Sequence, residues 1–277
     1  MSVTTLAETL PYVAWVTLVT LALGALLFAV TTGQLTDATV GYLRFTATLA
    51  AVVTLLALAA DTSLPNPTVL AVRPAPVDLE TLRRIGMVGT ALAAFAYALT
   101  AGNVPRRRIS AVLGVGFAML SIIAAAFGWA PTAVDAVPLA VQLSTLTLVT
   151  GGSAAAVILG HWYLVTPKIS IAPLVLQTRL LIGLLVVQGL LYVVWTTLGG
   201  GVGQGAWEAL TGPSALLVYL RGLITVAFPI VLAYMSWRTA LTRSMESATG
   251  LLYINLAAVL AGTIGAAALY VSGGLLL

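Results

Sequence analysis

Arg44, His161, Arg179 and Arg221 stand inside long apolar stretches of this sequence, and none shares its stretch with a carboxylate. Holding an ionised side chain in hydrocarbon costs about 2.5–3.5 kcal/mol even on the lenient insertion scale, so each is a functional candidate by default. Guanidinium presents a planar fork that matches the paired oxygens of a carboxylate or phosphate. All eight carboxylates, Glu8, Asp37, Asp61, Asp78, Glu80, Asp135, Glu208 and Glu246, fall in connections or at the edges of apolar stretches. The charge balance inside the stretches therefore calls for an anion, and Lys168 and Arg238 are placed to complete such a pocket. The competing expectation is that Arg44 and Arg179 extend their heads to the nearest interface and merely anchor their helices.

His161 is the sole histidine and is followed by Trp162 and Tyr163, in the densest polar and aromatic run of the chain, Gly160 to Lys168. Ala154, Thr150 and Thr147 lie on its helical face. This small, partly polar strip is expected to pack against another helix, with His161 as a hydrogen-bonding group at that contact or as a contact to a ligand. A single histidine excludes bis-histidine haem from this chain alone, and the absence of cysteine excludes thiolate metal sites and iron–sulfur clusters. Without acids inside the apolar stretches there is no site for a metal pair and no carboxylate proton relay. No Ser or Thr has a nucleophile's setting, so catalysis is not expected.

The elements that carry these residues follow from composition. Of 277 residues 60% are hydrophobic and 7% charged, where a soluble domain has roughly a quarter charged. Windows of about 19 residues predict spans at 10–31, 40–60, 85–103, 109–129, 138–164, 174–198, 214–237 and 249–273. The fold class is thus an all-α, polytopic integral membrane bundle of about eight transmembrane helices forming one domain. Only helices let a lipid-exposed single span satisfy its own backbone. The first stretch lacks a basic flank and is expected to be a true span, not a signal peptide.

Pro11, Pro131, Pro138, Pro167, Pro173 and Pro213 are expected at or just outside helix ends, and most Trp and Tyr, Trp15 and Trp129 among them, at headgroup level. Pro229 is the exception. It falls inside the seventh stretch and frees the carbonyl of Thr225, one turn beyond Arg221, so a kink or niche is expected there. Gln142, Ser153, Gln177, Gln188 and Asn255 are expected to glue helices together, and the small-residue runs Gly114 to Gly116, Gly151 to Ala156 and Ala261 to Ala268 to let helices approach closely. The run Gly199 to Gly205 has glycines like those of a phosphate-binding loop but lacks its Lys-Ser/Thr ending and preceding strand; it reads as a flexible connection.

Connections 31–39, 104–108, 165–173 and 238–248 share one side and hold Arg106, Arg107, Arg108, Lys168, Arg238 and Arg243. The positive-inside rule places that side in the cytoplasm of a plasma-membrane protein and both termini outside. Segment 61–84 is also basic, and Asp78 to Arg84 is expected to lie as an interfacial helix. The net charge of +4 sits beside span ends, where it favours anionic lipid over nucleic acid.

The sequence thus points first to a transporter or channel-like protein that engages an anionic solute or lipid headgroup through Arg44, His161 and Arg179, with Lys168, Arg221 and Arg238. A second reading is a redox-associated subunit that binds quinone or haem at His161, Trp162 and Tyr163 beside other membrane proteins. A third is a scaffold without ligand, whose cations all face headgroups.

Overall fold

A computed structural model describes residues 3–67, 70–200 and 205–276, with side chains from Leu6 onward. The helices are α1 (Val3–Leu35), α2 (Val40–Asp61), α3 (Val77–Thr100), α4 (Val104–Trp129), α5 (Ala133–Val165), α6 (Ala172–Leu198), α7 (Ala215–Leu220), α8 (Phe228–Leu241) and α9 (Met245–Gly273). A π-helical stretch, Arg221–Ala227, joins α7 to α8, so that Ala215–Leu241 forms one span. Eight helical segments among the described residues are long and apolar enough to cross a membrane. The protein is an all-helical, multi-pass integral membrane protein embedded in lipid.

Side-chain caps set several boundaries. Thr39, Asn103 and Thr132 each accept the amide of the residue three positions on, and Thr132 also donates its hydroxyl to Asp135 at 2.6 Å. The helices overrun two prolines expected at ends: Pro11 lies inside α1 and Pro138 inside α5. The rings deprive the carbonyls of Ala7 and Val134 of a partner, but both residues are exposed near a helix end, where the loss is mild. The third span also starts earlier than hydropathy predicts. Asp78 to Arg84 is not a separate interfacial helix but the opening turns of α3.

The centre of the bundle is α1 against α5, with α9 packed on both. In the apolar window of α5 83% of residues are buried and in that of α1 67%, against 22% for α6. On one flank α2, α3 and α4 wrap α1; on the other α6 and the α7–α8 span lean on α5 and α9. The α1–α5 crossing is backbone to backbone. A Cβ on Gly24 would collide with the Thr147 carbonyl, and one on Gly151 with the Ala25 amide and the Gly24 Cα. Small residues are the currency of helix contact in lipid, where hydrophobicity itself gives no preference for protein over solvent.

Gly151→Val therefore should destabilise the fold by about 3 kcal/mol or more, read as unfolding in detergent titrations. Nothing lies near a Cβ built on Gly116, so Gly116→Ala should be neutral or stabilise by about 0.4–1 kcal/mol. Equal effects of the two would place the critical crossing elsewhere.

Candidate anion site and the distribution of charge

Of the eight sequence-predicted site residues five are exposed, Trp162 is half-buried, and Tyr163 and Arg221 are buried. Arg44, His161, Lys168, Arg179 and Arg238 are exposed. All five stand near the end of the bundle that carries the α1–α2, α3–α4, α5–α6 and α8–α9 connections, the basic end. Arg44 donates from Nε to the Ala98 carbonyl at 3.3 Å, in the last turn of α3, where unpaired carbonyls and the helix dipole favour a cation. Arg107 does likewise more strongly, reaching the Gly33 carbonyl of α1 at 2.7 Å and the Ala101 carbonyl at 3.1 Å.

Two of the candidates meet. The guanidinium carbons of Arg179 and Arg238 lie 5.5 Å and 6.0 Å from the Trp237 ring centre, on the outer surface of α6 and α8. Both are within cation–π range. Neither has a hydrogen bond or ion pair to protein among the described residues.

The strip leading to His161 is buried at Thr147, Thr150 and Ala154, and Thr150 shares a 2.6 Å hydrogen bond with Thr263 of α9. His161 itself turns outward. At this height the contact with α9 runs through the neighbouring residue: a Cβ on Gly160 would lie 2.7 Å from Thr249 Oγ1. Trp162 packs over Gly41 and near Phe45, and Tyr163 is buried with its hydroxyl donated to the Ser170 carbonyl. These three consecutive side chains thus point to different surroundings.

Arg221 is 3% exposed and opens the π-helical stretch. Pro229 explains that stretch: it has no amide for the Thr225 carbonyl and its ring crowds it, and widening the turn relieves the clash. The Phe228 amide accordingly reaches back to Leu223, five residues away. Thr225 turns its hydroxyl to the Arg221 carbonyl at 2.9 Å, and Tyr192 of α6 donates to the Val218 carbonyl at 2.9 Å.

The guanidinium crosses to α9, where Nη1 donates to the Gly262 carbonyl. A Cβ on Gly262 would lie 2.6 Å from Thr225 Cβ and 3.3 Å from Arg221 Nη1, so only glycine admits both. Among the described residues Nε and Nη2 have no acceptor. Gly262 stands eleven residues from the end of α9, about 16 Å at 1.5 Å per residue, and Arg221 six residues from the start of its own span, about 9 Å, so the guanidinium lies within the membrane-spanning part of the bundle. A second polar level lies towards the basic end: Asn255 donates to Ser153 at 3.0 Å, its Oδ1 left without a donor among the described residues. Gln177 of α6 donates to Thr32 and Tyr42 at 2.8 and 2.6 Å, as glue between three helices.

Sequence reasoning missed a second buried guanidinium. Arg83, 1% exposed, donates from Nε to Asp61 Oδ1 at 2.6 Å, while Arg84 takes the other carboxylate oxygen at 2.8 Å and Glu80 at 2.8 Å. Trp15 and Trp129 are buried around it, their ring centres 5.7 and 5.3 Å from the Arg83 guanidinium carbon. Asp61, read as a span edge, is thus an interior counter-ion at the end opposite the basic one. A signal was present: Asp78 and Glu80 followed by Arg84 fit the acidic first turn and i,i+4 pair of a helix start. Among the described residues all four ion pairs belong to this cluster.

Asp61→Asn should cost about 3–5 kcal/mol of unfolding free energy, because Arg83 loses its counter-charge while buried. Arg84→Gln removes a half-exposed arm and should cost less than about 1 kcal/mol. Detergent unfolding of both variants measures the difference, and similar losses would contradict this division.

Among the described residues no group of three or more His, Cys, Asp or Glu is arranged to hold a metal ion. The central part of the Gly199 to Gly205 run, residues 201–204, lies outside the described residues. Comparison with family models, curated proteins and solved structures finds no match to this chain.

Proposed function

We propose that this membrane protein binds an anionic solute inside its helical bundle and works as a transporter or channel-like protein, with Arg221 as the interior contact. The observation that carries the reading is the state of that guanidinium: buried inside the bundle and, among the described residues, without a carboxylate partner and with two nitrogens lacking acceptors. A cation so placed is expensive unless something answers it. Arg83 offers the contrast, since its answer comes from Asp61 within the chain.

The surroundings of Arg221 suit a moving solute. The π-helical stretch and Pro229 interrupt the regular hydrogen-bond ladder beside it, and such interruptions gather at functional sites. The window of the span that carries it is only 33% buried, so rearrangement there disturbs few packed neighbours. Arg44, His161, Lys168, Arg179 and Arg238 at the basic end form an attracting surface on this reading. An exposed cationic surface raises the local concentration of anions and concentrates anionic lipid headgroups. By the positive-inside rule that end faces the cytoplasm and both termini face outward.

The test is flux of chloride, phosphate and a small dicarboxylate in proteoliposomes. The wild-type chain is expected to carry at least one of them saturably, and Arg221→Gln to lower that flux by about tenfold or more, one lost charged contact of about 1.4 kcal/mol or above. Joint replacement of Arg44 and Arg179 by Gln should lower it only a few-fold, with the loss diminishing at high salt. Absence of flux for all three anions in the wild type, or unchanged flux in a folded Arg221→Gln variant, would sink the reading.

A further inference from the structure

We propose that the groove between α1 and α4 at the basic end binds an anionic glycerophospholipid, one acyl chain lying in the groove and the phosphate held at Arg108. The groove has a volume of about 370 Å³ and is lined by Val30 and Gln34 of α1 and by Arg108, Ala111, Val112 and Val115 of α4. The α4 residues follow a spacing of three, four and seven, so they form one continuous helical stripe. Below Arg108 and Gln34 the walls are wholly apolar, and the stripe runs about 10 Å into the membrane, inside the ~15 Å of one leaflet.

The upper rim selects the headgroup. Arg108 is exposed, and its Nε alone is engaged, 3.3 Å from Gln34 Oε1. Its two terminal nitrogens make no hydrogen bond to protein among the described residues. Arg107 beside it is committed to the Gly33 and Ala101 carbonyls and fixes the rim. No carboxylate pairs with Arg106, Arg107 or Arg108, since the ion pairs among the described residues lie at the other end of the bundle. A guanidinium with two open donors at headgroup depth fits the paired oxygens of a phosphate. A molecule with an oxyanion head and a hydrocarbon tail satisfies rim and walls together, and the glycerophospholipid phosphate, linked to its acyl chains, brings both. A zwitterionic headgroup brings its own ammonium close to the Arg108 guanidinium, whereas an anionic one does not.

This inference is independent of the reading of Arg221, which lies on another span. Its test is native mass spectrometry of the full chain exposed to equal amounts of phosphatidylglycerol and phosphatidylcholine. The wild type should retain phosphatidylglycerol preferentially by about fivefold, the factor expected from one cation near an anionic headgroup. Arg108→Gln should bring the ratio close to parity. Arg106→Gln removes the same charge away from the groove and should leave the preference largely intact. Val112 is exposed on the groove wall, so Val112→Trp should fill the groove without disturbing the fold and lower retention of both lipids. Equal losses for Arg108→Gln and Arg106→Gln would show a diffuse surface charge, and unchanged retention in Val112→Trp would show that the chain does not lie in the groove; either result overturns the assignment.

Discussion

The bundle depends on the backbone contact of α1 with α5 at Gly24 and Gly151. Neither position has room for a β-carbon, and the two helices that meet there have the most buried windows in the protein. In lipid, association rests on dispersion and on hydrogen bonds between helices, both of which fall steeply with separation. Bringing these two backbones together is what allows α9 to close over them, with Thr263 reaching Thr150 and Asn255 reaching Ser153. The outer helices then assemble around a centre that is already polar in places.

Two guanidiniums are buried in this structure, and the chain treats them differently. Arg83 is enclosed by a carboxylate on α2 and two indoles, so its charge is neutralised and its faces are covered. That arrangement ties α1, α2, α3 and α4 together at one end and explains why Trp15 and Trp129 are buried. Arg221 receives a single backbone carbonyl. The difference lies in what is within reach: α6, α9 and the α7–α8 span contribute Tyr192, Thr225 and Gly262 near it but no acid. On the function proposed above, an anionic ligand supplies the answer that Asp61 gives to Arg83.

The remaining cations serve helix ends and the lipid boundary. Arg44 and Arg107 complete carbonyls left open at the ends of α1 and α3, whereas Arg179 and Arg238 share the surface of one indole. Six of the eight acids stand at the opposite end, where Asp61 and Glu80 are already committed, while Asp37 and Glu246 stand at the basic one. This asymmetry leaves one end of the molecule with an excess of positive charge and the other with an excess of negative charge.

Much of the fold was legible in the residues alone. The length of apolar runs and the scarcity of charge determine eight membrane-crossing helices, because unpaired amides are intolerable in hydrocarbon. Pro229 announced the irregularity beside Arg221, since a residue without an amide must disturb the ladder wherever it sits. What sequence did not decide was partnership. Whether Arg83 belongs to a loop or to the core depends on Asp61, twenty-two positions away, and on two tryptophans contributed by α1 and α4. Likewise the strip of Thr147, Thr150 and Ala154 is buried while His161, on the same face, is not, because α9 meets the end of α5 at Gly160. Periodicity fixes which side chains share a helix face; which faces meet is set by close approach between distant segments, and that is a property of the tertiary packing alone.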